Sequence, residues 1–276
     1  MKLLATDLDR TLLPNGSQKK DASVYAQLRS LFLQKKITII YVTGRRKEQI
    51  QSVIQKYNLP RPLYCITNVG TQIYRYERGR YILDEGWQTV LRRKWKEGSA
   101  QSISKALTKS TLLKPQSKVT QNEFKRSFLA SPTVSKTTII TEIRKTLQGI
   151  ITHYDITYSI DVARNIAQID IMPKNVNKKE ALRYLLQSMK RVDVVVSGDS
   201  GNDLSMLQSV WKSILVKNAS DSVKKAYQSK SFSSKKRYIA TGLFGINGNY
   251  ASGIVEGLIQ YRWLRDSDIQ IKRSVK

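Results

Sequence analysis

Short apolar runs alternate, over the first third of the chain, with segments whose apolar positions recur every three or four residues. The runs predict buried β-strands and the recurring positions predict amphipathic helices. The predicted strands are residues 2–6, 37–42 and 63–67, and the predicted helices are marked by Val24, Leu28, Leu31 and Phe32 and by Ile50, Val53, Ile54 and Tyr57. Strands that alternate with helices favour a parallel sheet.

The pattern changes after residue 67. Residues 73–76 and 80–83 predict a β-hairpin around Glu77-Arg78-Gly79. From residue 84 to 170 the alternation is lost, with a predicted helix at 136–147 and strands near 156–160 and 166–171. The alternation of strands and helices returns with a helix at 180–189, strands at 192–196 and 214–216 and a last helix around Ile254 and Leu258. We therefore expect an α/β core of residues 1–83 and 171–276, and a smaller inserted α+β domain of residues 84–170.

The composition of the 276 residues excludes several kinds of metal site and catalytic site. The single cysteine, Cys65, excludes an internal disulfide and a cysteine-cluster metal site, and the single histidine, His153, excludes catalysis by paired histidines. Any metal is therefore expected to be a hard cation with oxygen ligands. No apolar run approaches the length of a membrane span, and a secretory signal pattern is missing, so a soluble cytoplasmic protein is expected.

The formal net charge is unusual, since 48 Lys and Arg residues face 21 Asp and Glu residues, which gives +27. An excess of this size attracts polyanions in dilute salt. The basic residues are scattered in doublets and triplets such as Arg92-Arg93-Lys94, without one tail or stripe. This distribution favours a generally basic surface over a dedicated nucleic-acid face, although nucleic-acid binding stays open.

Polar groups follow the predicted strands where a parallel sheet binds its ligands. Asp7 and Asp9 follow the first strand, Thr43 the second, and Asp199 the valine-rich strand at 192–196. Clustered carboxylates without His or Cys suit Mg²⁺, and a cation would allow a carboxylate to approach a phosphate. Asp7 and Asp9 can share a site only if the strand has ended, and they would then act as nucleophile and as general acid and base.

The set of motifs resembles the haloacid dehalogenase (HAD) phosphatases: Asp7-Leu8-Asp9-Arg10-Thr11, Thr43-Gly44-Arg45, Lys178 and Gly198-Asp199-Ser200-Gly201-Asn202-Asp203. Other stretches resemble the sucrose-phosphate phosphatase branch: Asn68-Val69-Gly70-Thr71-Gln72-Ile73-Tyr74, Leu113-Lys114-Pro115-Gln116-Ser117, Asp170-Ile171-Met172-Pro173-Lys174 and Tyr250-Ala251-Ser252-Gly253-Ile254-Val255-Glu256-Gly257-Leu258. The resemblance implies a HAD-like Rossmannoid core with an inserted cap, Mg²⁺ dependence and a sugar phosphate as substrate.

The resemblance also implies roles for single residues. Asp7 would be nucleophile and metal ligand, and Asp9 general acid and base with its carbonyl on Mg²⁺. The other implied residues are Thr43, Gly44, Lys178 and Asn202 at the phosphate and Asp199 and Asp203 at the metal. The chain departs from the branch at Asn175 and Lys179, where glycines are usual, and in the loosely matching cap segment 118–127.

Substrate contacts in the cap are harder to assign, and Lys125, Arg164 and Asn165 are the candidates. The leading hypothesis is a monomeric phosphatase that acts on sucrose 6-phosphate or a related glycosyl phosphate. One alternative keeps the fold, either as a phosphotransferase similar to phosphomannomutase or as a phosphatase of another small ester. A third hypothesis is a basic protein that binds nucleic acid or other polyanions.

Overall fold

A computed structural model describes residues 1–96, 98–161, 164–229 and 236–270. Its strands are β1 (Lys2–Thr6), β2 (Ile37–Val42), β3 (Tyr64–Thr67), β4 (Gln72–Glu77), β5 (Arg80–Leu83), β6 (Lys114–Pro115), β7 (Arg126–Ala130), β8 (Tyr154–Asp161), β9 (Ile166–Pro173), β10 (Asp193–Gly198), β11 (Lys212–Leu215) and β12 (Arg237–Ile239). Its helices are α1 (Ala22–Gln34), α2 (Lys47–Lys56), α3 (Glu85–Lys94), α4 (Ser99–Leu107), α5 (Lys136–Leu147), α6 (Lys178–Gln187), α7 (Leu204–Leu207), α8 (Asp221–Gln228) and α9 (Tyr250–Gln260). Within these ranges no helix is long and apolar enough to cross a bilayer.

The large sheet has eight strands in the order β12-β11-β10-β1-β2-β3-β4-β5. The strands from β12 to β3 pair in parallel, and β4 and β5 continue the sheet as antiparallel strands. Leu3 and Ala5 of β1 belong to one hydrophobic cluster and Leu4 to the other, so both faces of the strand are covered. This double burial explains why β1 is an apolar run without alternation. The predicted α/β class with a mainly parallel sheet is confirmed.

The small sheet has four antiparallel strands in the order β6-β7-β9-β8. One face packs on α4 and α5, whose apolar residues join Phe128, Ile169 and Ile171 in a single cluster. Helix α5 begins where the Ser135 side chain accepts a hydrogen bond from the Thr138 amide, a typical N-cap. The other face is more polar, because Asp170 lies between Ser127 and Thr157 on neighbouring strands.

The elements that the sequence did not predict carry weak hydrophobic patterns. Within α8 only Tyr227 is buried, and β12 is a three-residue edge strand with no buried residue. Helix α3 buries Trp87 and Leu91 but also the polar Gln88, which breaks its apolar stripe.

Strand β9 runs to Pro173, so the small sheet extends three residues past position 170 into the chain that returns to the large sheet.

Candidate active site

Three adjacent parallel strands of the large sheet end in polar residues. Asp7 follows β1, and β1 pairs on one side with β2, which Thr43 follows, and on the other with β10, which Asp199 follows. From β1 the chain continues to β2 on one side, and it later returns to the sheet at β10 on the other side. This edge is therefore a topological switch point. Ligands of open α/β sheets bind at such a point, and the fold therefore gathers the predicted residues there.

A buried network of charges joins Asp7, Lys178 and Asp203. The Lys178 ammonium donates to Asp7 Oδ1 at 2.7 Å and to Asp203 Oδ1 at 2.8 Å. The Lys178 side chain is only 1% exposed. A lysine is rarely buried so deeply without paired charges, and here two carboxylates compensate it.

Asp203 also organises the loop that follows β10. Its second oxygen, Oδ2, accepts hydrogen bonds from the Asp199 amide at 3.2 Å and from the Ser200 amide and hydroxyl at 3.1 and 3.0 Å. This arrangement needs a glycine at 198, because a Cβ there would lie 2.5 Å from the Asp203 Cβ. Asp203 thus accepts four hydrogen bonds, about as many as a carboxylate can, so it is better placed to support its neighbours than to bind a cation directly.

Lys178 reaches the network because helix α6 begins beside the core loop at Gly70. The Asn177 side chain accepts a hydrogen bond from the Glu180 amide at 3.0 Å and caps the helix, and Lys178 is its first residue. Gly70 has φ of +106°, and a Cβ there would lie 2.5 Å from the carbonyl carbon and oxygen of Asn177. Glycine therefore serves both the backbone conformation and the close approach.

Burial and mutual repulsion raise the pKa values of the acidic groups. Burial raises the pKa of Asp7 well above its usual value, Lys178 opposes this shift, and the neighbouring carboxylates add to it. Burial and Asp203 raise the pKa of Asp199 to about 7, although Thr11 and Arg10 oppose them. Burial lowers the pKa of Lys178, but Asp203 and Asp7 outweigh burial and raise it overall. A divalent cation among these groups would favour the ionised carboxylates.

The donor set fits such a cation. Asp7, Asp199 and Asp203 are buried, and each offers a carboxylate oxygen within 4.8 Å of the others. An all-oxygen site suits Mg²⁺ better than a transition metal. Thr11 donates to Asp199 Oδ1 at 3.0 Å and so helps to fix the orientation of this carboxylate. Asp7 and Asp199 are therefore the side chains best placed to hold a metal, with Asp203 as their support.

Asp9 takes a different direction from Asp7. Its two carboxylate oxygens accept a bidentate pair of hydrogen bonds from Arg45, at 2.7 and 2.6 Å, and Asn15 donates to Oδ1. The sequence prediction that the strand ends before these residues is confirmed, because β1 ends at Thr6 and the Leu8 carbonyl accepts from the amides of Thr11, Leu12 and Leu13. The Asp9 side chain stays 39% exposed, and solvent and ligands can reach it.

The predicted phosphate-binding residues surround this edge of the sheet. Thr43 is fully buried, and its hydroxyl accepts a hydrogen bond from the Arg45 amide at 3.1 Å. Gly44 has room for a side chain, since an added Cβ would meet only Val69 at 3.8 Å. Asn202 accepts a hydrogen bond from Ser200 at 3.0 Å and is half-buried. The structure thus brings Asp7, Asp199, Asp203 and Lys178 into contact and places Thr43, Gly44 and Asn202 on loops at the same edge.

Lys125 lies on a segment of the small sheet that reaches the large one. It is buried, and its ammonium lies 3.6 Å from Asp170, which also accepts a hydrogen bond from the Ser127 hydroxyl. In the same segment Asn122 donates to the hydroxyl of Thr71 at 3.0 Å. Thr71 follows Gly70, which packs on Asn177, so this segment lies close to the start of α6.

Arg164 and Asn165 lie elsewhere, just before β9, and both are exposed. Arg164 is 78% exposed at its side chain and contacts Asp161, 3.8 Å away. Four residues of strand lie between Asn165 and Asp170, which places the two residues about 16 Å apart. The structure therefore does not bring this pair together with Lys125.

The sequence interpretation gave no role to three side chains that contact the acidic groups. Arg45 and Asn15 bind Asp9, and Arg10 contacts Asp199 with its Nε 3.3 Å from Oδ2. Arg10 and Arg45 both stand within the quoted motifs, next to the residues to which roles were given. A basic residue beside a predicted carboxylate cluster was the signal that could have identified them.

Comparisons with known proteins give matches over most of the chain. A family model described as sucrose-6F-phosphate phosphohydrolase matches residues 1–262. A putative HAD-like hydrolase of Nitrosococcus oceani is 35% identical over 264 residues, which are 94% of this chain and 71% of that protein. A probable sucrose-phosphatase 3a of Arabidopsis thaliana is 25% identical over 266 residues, and the match spans 94% of this chain but only 59% of the plant protein.

A solved structure is similar over nearly the whole chain. The sucrose-phosphatase of Synechocystis sp. PCC6803, in complex with sucrose and phosphate, has a TM-score of 0.77 and 25% sequence identity. The similarity covers 94% of this chain and 97% of that one. The fold of nearly the whole chain therefore recurs in a solved structure.

Proposed function

Because the chain belongs to the sucrose-6F-phosphate phosphohydrolase family, we propose that it hydrolyses a disaccharide phosphate, with sucrose 6-phosphate as the first candidate. Family membership makes it a HAD-type phosphoric monoester hydrolase of the sucrose-phosphatase kind, a class that acts on sugar phosphates. The observation that carries the proposed phosphoryl chemistry is the buried contact of Lys178 with Asp7 and Asp203, beside Asp199. Such a cluster can hold a phosphoryl group against a carboxylate nucleophile.

In the first step, an Asp7 carboxylate oxygen forms a bond to phosphorus while the bond between phosphorus and the sugar oxygen breaks. Asp9 gives a proton to the departing sugar oxygen. Lys178 then has two functions, because its ammonium orients Asp7 and stabilises the charge that develops on the phosphoryl oxygens. Mg²⁺, held by Asp7 and Asp199 with the Asp9 carbonyl, would neutralise the remaining repulsion.

In the second step, water attacks phosphorus, Asp9 takes the proton of that water, and the bond between Asp7 and phosphorus breaks. Asp9 contacts Arg45 through both oxygens in this structure, so either step requires the carboxylate to exchange this partner for the substrate. Thr43 and Gly44, which follow β2, and Asn202, which follows β10, would bind phosphoryl oxygens, since these strands end at the same edge of the sheet as β1.

We further propose that residues 84–170 form a cap that binds the sugar. The polar face of the small sheet carries Asp170, Ser127 and Thr157, and the buried Lys125 lies beside Asp170. Side chains of this kind can donate to and accept from the hydroxyl groups of a sugar. The exposed Arg164 and Asn165 are weaker candidates, because they lie at the far end of β9.

The experiment that tests this function measures phosphate release from a panel of sugar phosphates that includes sucrose 6-phosphate, with Mg²⁺ or with EDTA. We expect metal-dependent release that favours one disaccharide phosphate, and a loss of more than about 10,000-fold in kcat for Asp7→Asn. The matched control is Asp193→Asn, which removes an exposed carboxylate at the opposite end of a core strand and should leave kcat unchanged.

Each alternative has its own outcome in the same assay. A requirement for a sugar bisphosphate, with transfer instead of release, would favour the phosphotransferase. No turnover of any ester, together with salt-sensitive binding of nucleic acid that survives Asp7→Asn, would favour the polyanion-binding protein. Cytoplasmic location and a monomeric state stay predictions, which fractionation and sedimentation would test.

A further inference from the structure

Arg10 is a cation built into the candidate metal site. Its guanidinium Nε lies 3.3 Å from Asp199 Oδ2, on a carboxylate that is only 6% exposed at its side chain. The other oxygen of Asp199, Oδ1, accepts a hydrogen bond from Thr11. The positive charge of Arg10 therefore faces one of the two carboxylates best placed to hold the divalent ion.

The position of Arg10 is fixed by contacts that do not involve Asp199. Its amide donates to Asn15 Oδ1 at 2.7 Å, and its carbonyl accepts from Asn218 Nδ2 at 2.6 Å. Its Nη2 donates to the Asn218 carbonyl at 3.4 Å, so the same neighbour holds both the backbone and the guanidinium. Asn218 is itself only 7% exposed and accepts a hydrogen bond from the Tyr250 amide.

The backbone of Arg10 has a conformation that arginine does not favour. Its φ is +58°, in the left-handed region, where a residue with a side chain is strained relative to glycine. The turn itself would accept glycine with less strain. The strain is sustained by the contacts with Asn15 and Asn218, and its result is a guanidinium held against Asp199.

We propose that Arg10 is an internal counter-ion that weakens the binding of the divalent cation at Asp7 and Asp199. A fixed positive charge near a bound cation repels it. The hydrogen bond that Arg10 donates to Asp199 Oδ2 also occupies an oxygen atom that could otherwise bind the cation. The consequence is reversible metal loading, so that occupancy follows the free Mg²⁺ concentration. This inference rests on the proposed function, because it requires that the carboxylate cluster is the metal site.

The test is Mg²⁺ binding measured by titration calorimetry on the substrate-free full chain at constant ionic strength. Arg10→Gln should bind Mg²⁺ about tenfold more tightly than the wild type, because the charge is removed. Arg10→Lys keeps the charge and should stay within about threefold of the wild type. The increase in melting temperature on addition of MgCl2 should follow the same order.

The matched control is Arg78→Gln. Arg78 is also an arginine with positive φ, at +48°, but it lies exposed in the turn between β4 and β5. Its removal lowers the net charge equally and should leave Mg²⁺ affinity unchanged. Equal affinities for Arg10→Gln and Arg78→Gln, or weaker binding by Arg10→Gln, would overturn the proposal.

Failure of the proposed function gives a different result. If Asp199→Asn binds Mg²⁺ as tightly as the wild type, the cation is not at this cluster and both proposals are wrong. If Asp199→Asn abolishes binding but Arg10→Gln has no effect, the metal site stands and only the role of Arg10 is wrong. Circular dichroism of each variant confirms that a change in affinity does not result from unfolding.

Discussion

The carboxyl edge of the large sheet and the polar face of the small sheet differ in how far their charges are fixed. At the large sheet, Lys178 is buried between two carboxylates, and Asp203 binds the backbone of the next loop. On the small sheet, Lys125 faces Asp170 at a longer distance, 3.6 Å, and Arg164 is exposed. Buried, closely paired charges, as at the large sheet, can preorganise chemistry that is common to many substrates. Recognition of one sugar instead needs groups that can exchange their present partners for the sugar.

Among the variants that test this comparison of the two sheets, the largest effect is expected from the removal of the central charge of the large sheet. Lys178→Met should lower kcat by about 100- to 1,000-fold, since a positioned donor to the phosphoryl group is lost. It should also destabilise the fold by about 3–5 kcal/mol, because Asp7 and Asp203 stay buried without their partner. Phosphate release and urea unfolding measure the two effects.

Lys179→Met is the matched control, because Lys179 is the next residue of α6 but is 38% exposed at its side chain. It should change kcat by less than about twofold and stability by less than about 0.5 kcal/mol. If the two variants behaved alike, the difference between buried and exposed charges on which the comparison rests would disappear.

The second largest effect is expected on the folding stability, which should change with pH because of Asp199. Burial raises the pKa of Asp199 to about 7 in the folded chain, from its usual value of 3.8. The metal-free folded state therefore keeps a proton that the unfolded state releases, so this group reduces stability as pH rises from about 4 to 7. Above pH 7 the full cost, on the order of 4 kcal/mol, is present.

Asp199→Asn removes this cost and should gain stability relative to the wild type over the same pH window, in EDTA. Addition of Mg²⁺ at pH 8 should stabilise the wild type and leave the variant unchanged. Thermal unfolding from pH 5 to 8 measures both. A difference between the two proteins that does not vary with pH would mean that Asp199 titrates in the folded chain as it does in the unfolded one.

The third effect concerns the glycine that allows Asp203 to approach β10. Gly198→Ala places a Cβ 2.5 Å from the Asp203 Cβ, so the loop must move, and we expect a loss of about 1–3 kcal/mol. Gly44→Ala has space for its Cβ and should retain stability, while it raises KM if phosphate approaches the backbone there. Chemical denaturation separates the pair, and equal stabilities would contradict the packing argument.

The smallest effect is expected on the small sheet. Lys125→Met should lower kcat/KM for the sugar phosphate by about tenfold, which corresponds to about 1.4 kcal/mol. Hydrolysis of p-nitrophenyl phosphate, which has no sugar, should be unchanged. Arg164→Gln is the control and should affect neither substrate. Equal losses for both substrates in Lys125→Met would mean that this residue acts on the chemistry and not on recognition.

The sequence predicted the large sheet better than the small one for a physical reason. Strands β1, β2 and β10 are buried on both faces and are therefore apolar runs that end sharply at Asp7, Thr43 and Asp199. Strand β7 does not alternate between polar and apolar residues, because Arg126 shares a face with Phe128 and Leu129 shares a face with Ser127. Strand β6 has two residues, so neither strand gave a recognisable pattern. Helix α5 was predicted with its correct bounds, because Ile139, Ile143 and Leu147 recur every four residues.

Within the site, the sequence predicted which residues would meet but not the partners they take. The contact of Lys178 with Asp7 joins residues 171 positions apart, and the position of Lys178 before a predicted helix, together with the resemblance, suggested it. The pairing of Asp9 with Arg45 and of Asp199 with Arg10 depends on side-chain direction, which spacing along the chain does not fix. The sequence also could not separate Arg164 and Asn165 from Lys125 as candidates for sugar binding. Position in a turn does not reveal which end of the small sheet lies near the site.

The most direct test of the central claim, that Asp7 is the nucleophile, is to trap its phosphorylated form. Asp9→Asn is mixed with p-nitrophenyl phosphate and Mg²⁺, because this leaving group needs no acid while breakdown of the intermediate needs the base that the variant lacks. After an acid quench, mass spectrometry of the peptides should find one phosphoryl group on Asp7. Phosphorylation of another residue, or none during a measurable burst of p-nitrophenol, would contradict the account.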